Sequence, residues 1–154
     1  MFDSRSGGFN EFNLQNNTIY NSALVRDFIR MDDASSKVSA TPVINVDHNT
    51  LYNVGSANAN YRLLYVRFAG NTINWTNNVV ANTNYKRGFS NQKTTAIPTF
   101  KNNFYFNTVN LVSAGSTADA TITFYDSEGT EVAADPFKNA ANADFTITDE
   151  KIKE

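Results

Sequence analysis

The chain has 154 residues, no cysteine, and 13 Lys and Arg against 15 Asp and Glu, for a formal charge of −2. This length suits one domain with a core that needs no staples. The absent cysteines exclude disulfides and thiolate metal sites, and the charge argues against nucleic acid as a partner. No apolar run approaches the ~20 residues of a membrane helix. The opening Met1-Phe2-Asp3-Ser4-Arg5-Ser6-Gly7-Gly8 lacks a basic stretch followed by an apolar one, so no secretory signal peptide and no membrane contact are expected.

Residues 1–21 carry Phe2, Phe9, Phe12, Leu14, Ile19 and Tyr20 among Gly, Ser and Asn, without helical or strand period. A disordered tail is poor in aromatics, so this segment reads as an extended N-terminal arm that orders on a neighbour. Residues 22–31 suit a short helix with Ser22 as its N-cap, while their β-branched and aromatic content also admits a strand. Together, residues 1–37 form the predicted arm, and residues 38–154 the predicted domain.

From Val38 to Val46, residues Val38, Ala40, Pro42, Ile44 and Val46 share one parity, as in an edge strand interrupted by proline. Thr50 to Val54 reads as a short strand. Tyr61 to Ala69 is apolar on both faces, which fits a central strand. Short β pieces follow at 72–76 and 78–81. The strongest expected hairpin runs from Thr99 to Gly129. A three-residue loop at 114–116 would set Phe106 opposite Phe124, Thr108 opposite Ile122 and Val112 opposite Ala118. Thr130 to Ala133 and Asp144 to Thr148 read as further strands, and Asp149 to Glu154 as a solvated tail.

About eight to ten short strands at close intervals predict an all-β, antiparallel β-sandwich, jelly-roll or immunoglobulin-like. A repeat is the competing reading. Asn17-Thr18-Ile19-Tyr20-Asn21 resembles Asn49-Thr50-Leu51-Tyr52-Asn53, but the Asn-Thr pairs recur at irregular spacings of 32, 22, 11 and 25. With 23 Asn and 16 Thr, such pairs also arise by chance, so no solenoid is expected.

No catalytic or metal-binding constellation emerges. His48 is the single histidine and lies in a turn, so neither a triad nor a zinc site forms around it. The carboxylate pairs Asp32/Asp33, Asp126/Glu128 and Asp149/Glu150 fall where turns favour Asp, and the spacing of a calcium loop is absent. The chain therefore reads as a non-enzyme without a cofactor. Trp75, set among Asn74, Thr76 and Asn77, could join Tyr85 in a sugar platform; the competing reading is a core tryptophan.

Arm, β-domain, charged tail and Asn-rich composition together resemble, in organisation, the small capsid auxiliary or decoration proteins of tailed bacteriophages, crAss-like phages among them. The resemblance implies a structural virion protein, made in the host cytoplasm, that binds the major capsid protein or another virion protein as a homo-oligomer. On this reading Phe2, Arg5, Phe9 and Phe12 of the arm make the anchoring contacts. The alternative is a carbohydrate-binding or adhesive module that uses Trp75 and Tyr85.

Overall fold

The computed structural model describes residues 2–5, 7–22, 26–32, 41–55, 60–92 and 97–153. The chain winds into four coils of three short strands each. Coil 1 holds β1 (Phe2–Ser4), β2 (Glu11–Gln15) and β3 (Thr18–Ser22). Coil 2 holds β4 (Ile29–Met31), β5 (Val43–Asp47) and β6 (Thr50–Val54); coil 3 holds β7 (Leu64–Val66), β8 (Thr72–Thr76) and β9 (Val79–Ala81). Coil 4 holds β10 (Phe89–Asn91), β11 (Thr99–Lys101) and β12 (Phe104–Phe106). Equivalent strands stack in parallel into three sheets: A (β1-β4-β7-β10), B (β2-β5-β8-β11) and C (β3-β6-β9-β12). This is a parallel β-solenoid.

Each strand sends alternate side chains inward, and each coil stacks its inward residues on the next. Register aligns Leu14, Val46, Trp75 and Phe100 in one interior row, and Ile19, Leu51, Val80 and Tyr105 in another. A third row, Phe2, Ile29, Leu64 and Phe89, lines sheet A. The Trp75 and Phe89 rings meet edge-on with centroids 5.1 Å apart, and Phe89 meets Phe100 at the same separation. Leu51, Val80, Leu64 and Trp75 are completely or almost completely buried.

The corner between sheets B and C is built by asparagine. Each coil contributes a hexad there: Asn16 to Asn21, His48 to Asn53, Asn77 to Asn82, and Asn102 to Asn107. Its first and last residues take left-handed backbone, with φ of 57° and 51° in coil 1 and 52° and 48° in coil 4. Asn tolerates that region better than most residues. The second residue of the hexad points inward. Asn49 Nδ2 donates to the Leu14 carbonyl at 2.8 Å, Asn78 Nδ2 to Val46 at 2.9 Å, and Asn103 Nδ2 to Trp75 at 2.7 Å. The Oδ1 atoms of the same three residues accept the backbone N–H of Asn17, Asn49 and Asn78, at 3.1, 3.0 and 2.9 Å. Asn49, Asn78 and Asn103 are buried, so each carboxamide satisfies backbone groups that the corner removes from the sheet ladders. A second, surface ladder runs along sheet B, where Asn45 Nδ2 reaches Asn13 Oδ1 at 2.8 Å and Asn74 Nδ2 reaches Asn45 Oδ1 at 2.7 Å.

The interior ladder ends on a carboxylate. Asp126 Oδ2 accepts from Asn103 Nδ2 at 2.9 Å and from the Tyr105 hydroxyl at 2.8 Å. Residues 108–129 run back along the last coil, where Phe124 bridges Phe89 and Thr123 Oγ1 accepts the Asn91 N–H. β13 (Thr130–Glu131) adds a short parallel strand to β12. An antiparallel hairpin of β14 (Phe137–Asn139) and β15 (Asp144–Ile147), followed by α1 (Glu150–Lys153), closes the chain. Phe137, Phe145 and Ile147 pack on Tyr52, Val79, Ala81 and Phe104, on the outer side of sheet C.

The solenoid overturns the antiparallel sandwich, jelly-roll or immunoglobulin-like. It also replaces the extended arm: residues 2–22 carry the three strands of coil 1, with Phe2 edge-on to Phe12 and Phe28, and Phe9 edge-on to Phe68. Of the predicted helix at 22–31, Ile29–Met31 is a strand, and residues 23–25 lie outside the described residues. The expected hairpin does not form, because Thr99–Lys101 and Phe104–Phe106 belong to different sheets and Phe124 bridges Phe89 rather than Phe106. In the expected solvated tail Glu150, Lys151 and Lys153 are exposed, and Ile152 packs against the hairpin's apolar cluster. The rejected repeat is real: Thr18 pairs with Thr50, Thr50 with Val79, and Val79 with Phe104, at offsets of 32, 29 and 25 residues. Asn-Thr matching followed the outward residue, which changes from coil to coil, and missed the inward Asn, which recurs.

Two outcomes check this account. Asn78→Ala strands the Asn49 N–H and the Val46 carbonyl in the interior and should cost at least about 3 kcal/mol in denaturant unfolding. Asn45→Ala on the surface ladder should cost less than about 1 kcal/mol. Burial raises the pKa of Asp126, against hydrogen bonds from Tyr105 and Asn103 that lower it. A carboxyl with a raised folded pKa weakens the fold as it ionises. Asp126→Asn should therefore become more stable relative to the native chain as pH rises from about 4 to 7, followed by thermal unfolding.

Candidate functional site

Ionisable side chains concentrate on the outward face of sheet A. Register places Asp3, Arg30, Tyr65 and Ser90 in one outer row. Arg62, just ahead of β7, and Arg67, just after it, flank Tyr65. The Arg62 Cζ stands 4.0 Å from the Tyr65 ring centroid, Arg30 5.4 Å and Arg67 5.8 Å. Three guanidinium groups thus surround one aromatic ring, at distances where its negative face attracts cations. The ring is mostly covered, and its hydroxyl donates to Gln92 Oε1 at 3.1 Å.

Two aspartates hold the arginines in place. Asp32 accepts from Arg30 Nη2 at 2.7 Å and from Arg67 Nη1 at 2.8 Å. Asp27 accepts the Arg62 backbone N–H at 2.7 Å and lies 3.8 Å from Arg30 Nη1. Arg62 Nε donates to Ser90 Oγ at 3.2 Å, and Ser90 Oγ donates in turn to the Thr121 carbonyl. The network extends to Arg87, which donates to Asp119 at 3.1 Å, and to Arg5, paired with Asp3 at 2.8 Å. Five of the chain's six arginines (all but Arg26) belong to it.

Burial governs the charges in the deep part. It raises Asp27 above the ordinary carboxylate range, against the Arg62 N–H and the charges of Arg62 and Arg30. It lowers Arg62, against Tyr65 and Asp27. Arg30 lies nearer the surface; burial lowers it too, but Asp32 and Asp27 outweigh that and hold it above its ordinary value. Arg62 is therefore a buried brace, whereas the side chains of Arg67 and Arg30 are 38% and 25% exposed, with Arg30 Nε itself buried.

The residues singled out in the sequence are not brought together here. Trp75 and Tyr85 have no exposed surface, so neither ring offers a face to a sugar. Trp75 fills the core, and the Tyr85 hydroxyl donates to the Arg26 carbonyl at 3.2 Å beneath Gly55, where a Cβ would collide with its ring. Phe2, Phe9 and Phe12 are partly buried in coil 1, and Arg5 is on the exposed rim of the sheet A network. His48 occupies a left-handed corner with Nδ1 2.8 Å from Asp47 Oδ2, at the mouth of a groove of about 520 Å³ that Ile147 and Ile152 also line. Burial raises Asp47, but bonds from Thr76, His48 and Asn77 outweigh it and leave the carboxyl below its ordinary value. Among the described residues no group of three or more His, Asp or Glu could hold a metal ion, and no helix is long and apolar enough to cross a membrane.

The chain belongs to the DUF5123 family, a domain of unknown function whose model matches residues 44–154. That span begins in β5 and takes in the rest of the solenoid and the C-terminal hairpin. Neither a curated protein nor a solved structure matches the chain.

The division between brace and presented arginine is measurable. Arg62→Ala removes a buried side chain that stacks on Tyr65 and bonds Ser90 Oγ, leaves Asp27 with Arg30 as its one neighbouring guanidinium, and should cost about 2 kcal/mol or more of stability. Arg67→Ala breaks an exposed pair and should cost less than about 1 kcal/mol. Urea unfolding of both variants checks the difference.

Proposed function

We propose that the outward face of sheet A binds an extended, carboxylate-bearing glycan, and that this chain is a non-catalytic binding module. The observation that carries the reading is the convergence of Arg30, Arg62 and Arg67 on Tyr65. Guanidinium groups match carboxylates in a two-pronged geometry and stack on flat surfaces, and a fixed arginine loses little entropy on binding. A solenoid supplies the complementary shape, since β1, β4 and β7 repeat about every 4.8 Å along the face as far as β10, where the Thr121 segment covers Ser90. Among the described residues around Tyr65, four arginines (Arg5, Arg30, Arg62, Arg67) stand against three aspartates (Asp3, Asp27, Asp32). The carboxylates are engaged by arginine, which favours holding a ligand over accepting its proton.

This moves the carbohydrate-binding alternative from Trp75 and Tyr85, both buried, to a different face. The capsid-auxiliary reading drew on a sandwich with a free aromatic arm, and residues 2–22 are instead the first coil. The Asn-rich composition and the charged tail, on which it also drew, are unaffected by the fold.

Calorimetric titration of the full chain with a short oligogalacturonate and an equally long neutral glucan tests the proposal. Binding should be confined to the acidic oligosaccharide, weaken with salt, and fall about tenfold or more in Arg67→Ala, a loss of one charge-assisted contact. Equal binding of the neutral glucan, or an unchanged affinity in Arg67→Ala, would overturn it.

A further inference from the structure

Coil 4 is extended in two of its three sheets. Beside β10 in sheet A, Phe124 bridges Phe89, and the Thr123 N–H donates to the Phe89 carbonyl at 3.1 Å. In sheet C, β13 pairs with β12. In sheet B, β11 pairs with β8 alone and forms the edge. The chain runs on past this edge to build residues 104–153, so the gap lies inside the fold and is not a chain end.

Main-chain geometry sets what the edge offers. In each earlier coil the residue that opens the asparagine corner donates its N–H to the next coil: Asn16 to the Asp47 carbonyl, His48 to Thr76 and Asn77 to Lys101, at 3.1, 3.2 and 2.9 Å. Asn102 holds that place in coil 4, and among the described residues no carbonyl accepts its N–H. Successive residues of a strand in a parallel sheet turn their N–H and C=O to opposite neighbours. The Lys101 carbonyl faces β8, so the N–H and C=O of Phe100 face the open side. Beside them lies a hollow of about 230 Å³ between residues 97–100 and residues 125–128. Phe100 is partly exposed, whereas Val46 and Trp75 of the same interior row have no exposed surface. Ile97, which also lines the hollow, is 80% exposed. The described lining carries the carboxyl groups of Asp126 and Glu128 and no Lys or Arg.

We propose that the β11 edge takes up an extended peptide segment of another protein as the fifth strand of sheet B, with an apolar side chain over Phe100 and a basic one beside Glu128. The Phe100 N–H, the Phe100 carbonyl and the Asn102 N–H would bond its main chain, as in strand addition to an open sheet edge. Alternation sends every second peptide side chain inward, towards the apolar part of the hollow. The carboxyl groups of the lining favour a cation over an anion. A second copy of this chain does not fit. Its β11 lies between its own extensions, residues 121–124 and β13, and these would meet the extensions of the first copy before the two edges paired. A lone extended segment carries no such flanks.

Nuclear magnetic resonance of the full chain, titrated with a synthetic library of capped hexapeptides that alternate Val or Ile with Lys or Thr, tests the proposal. The amide signals of Phe100 and Asn102 should shift, and their hydrogen exchange should slow about tenfold at saturation. Methylating the backbone nitrogens of the peptides removes their main-chain donors and should abolish the effect. Glu128→Gln, at an exposed position, should weaken binding about threefold and reduce its salt dependence. No slowing at Phe100 and Asn102 with the library in excess, equal slowing with the methylated peptides, or an unchanged affinity in Glu128→Gln would overturn the proposal. So would a native chain that sediments as a dimer with those two amides already protected.

Discussion

The buried carboxamide ladder is the interaction on which the rest of the structure depends. A parallel coil turns sharply between sheets B and C, and every turn removes backbone donors and acceptors from the ladders on either side. Asn49, Asn78 and Asn103 return those bonds from within, each offering a donor to the preceding coil and an acceptor to its backbone N–H. An apolar side chain of similar size would fill the space and leave the polar groups unpaired, at a cost of about 1–3 kcal/mol for each. The ladder thus sets both the direction of the strands and their stacking.

From that constraint follow the arginine cluster on sheet A and the polarity of the solenoid. Because coils of unequal length must still stack in register, the slack is taken up in loops, and β4 and β7 meet at an offset of 35 residues. That offset brings Arg30 beside Tyr65 and its flanking Arg62 and Arg67. Buried Asp27 and the largely covered Asp32 then fix the guanidinium groups. The same ladder, capped by Asp126 at one end and continued to Asn17 at the other, makes the molecule directional, with one closed end and one end that still follows the pattern.

Several strand positions from Val43 onward were legible in the sequence; the strands of coil 1, β4 and the arrangement of all of them were not. Thr50 to Val54 and residues 72–76 show a period of two whichever way their neighbours run, so alternation locates a strand without giving its partner. The polar setting of Trp75 misled for the same reason: Asn74 and Thr76 are the outward residues of a strand whose inward residues are Ile73 and Trp75. Tyr61 to Ala69 was readable as a central strand because Leu64, Tyr65 and Val66 are all covered, one face by the core and the other by arginines. The signal for the solenoid was the hexad with Asn at its second and sixth positions. Its spacing of 32, 29 and 25 residues defeats a search for a fixed period. The arginine network left no local signature, since residues as far apart as Asp3 and Asp119 contribute to it.

The central claim is that Asn49, Asn78 and Asn103 form one continuous hydrogen-bonded column inside a parallel solenoid. Hydrogen exchange of their side-chain amides, resolved by nuclear magnetic resonance, addresses it most directly. The account predicts that these three carboxamides exchange as slowly as the backbone amides of β5, β6 and β9, far behind the surface carboxamide of Asn45. Exchange of Asn78 or Asn103 at the rate of Asn45 would contradict the column, and with it the parallel stacking that it holds in place.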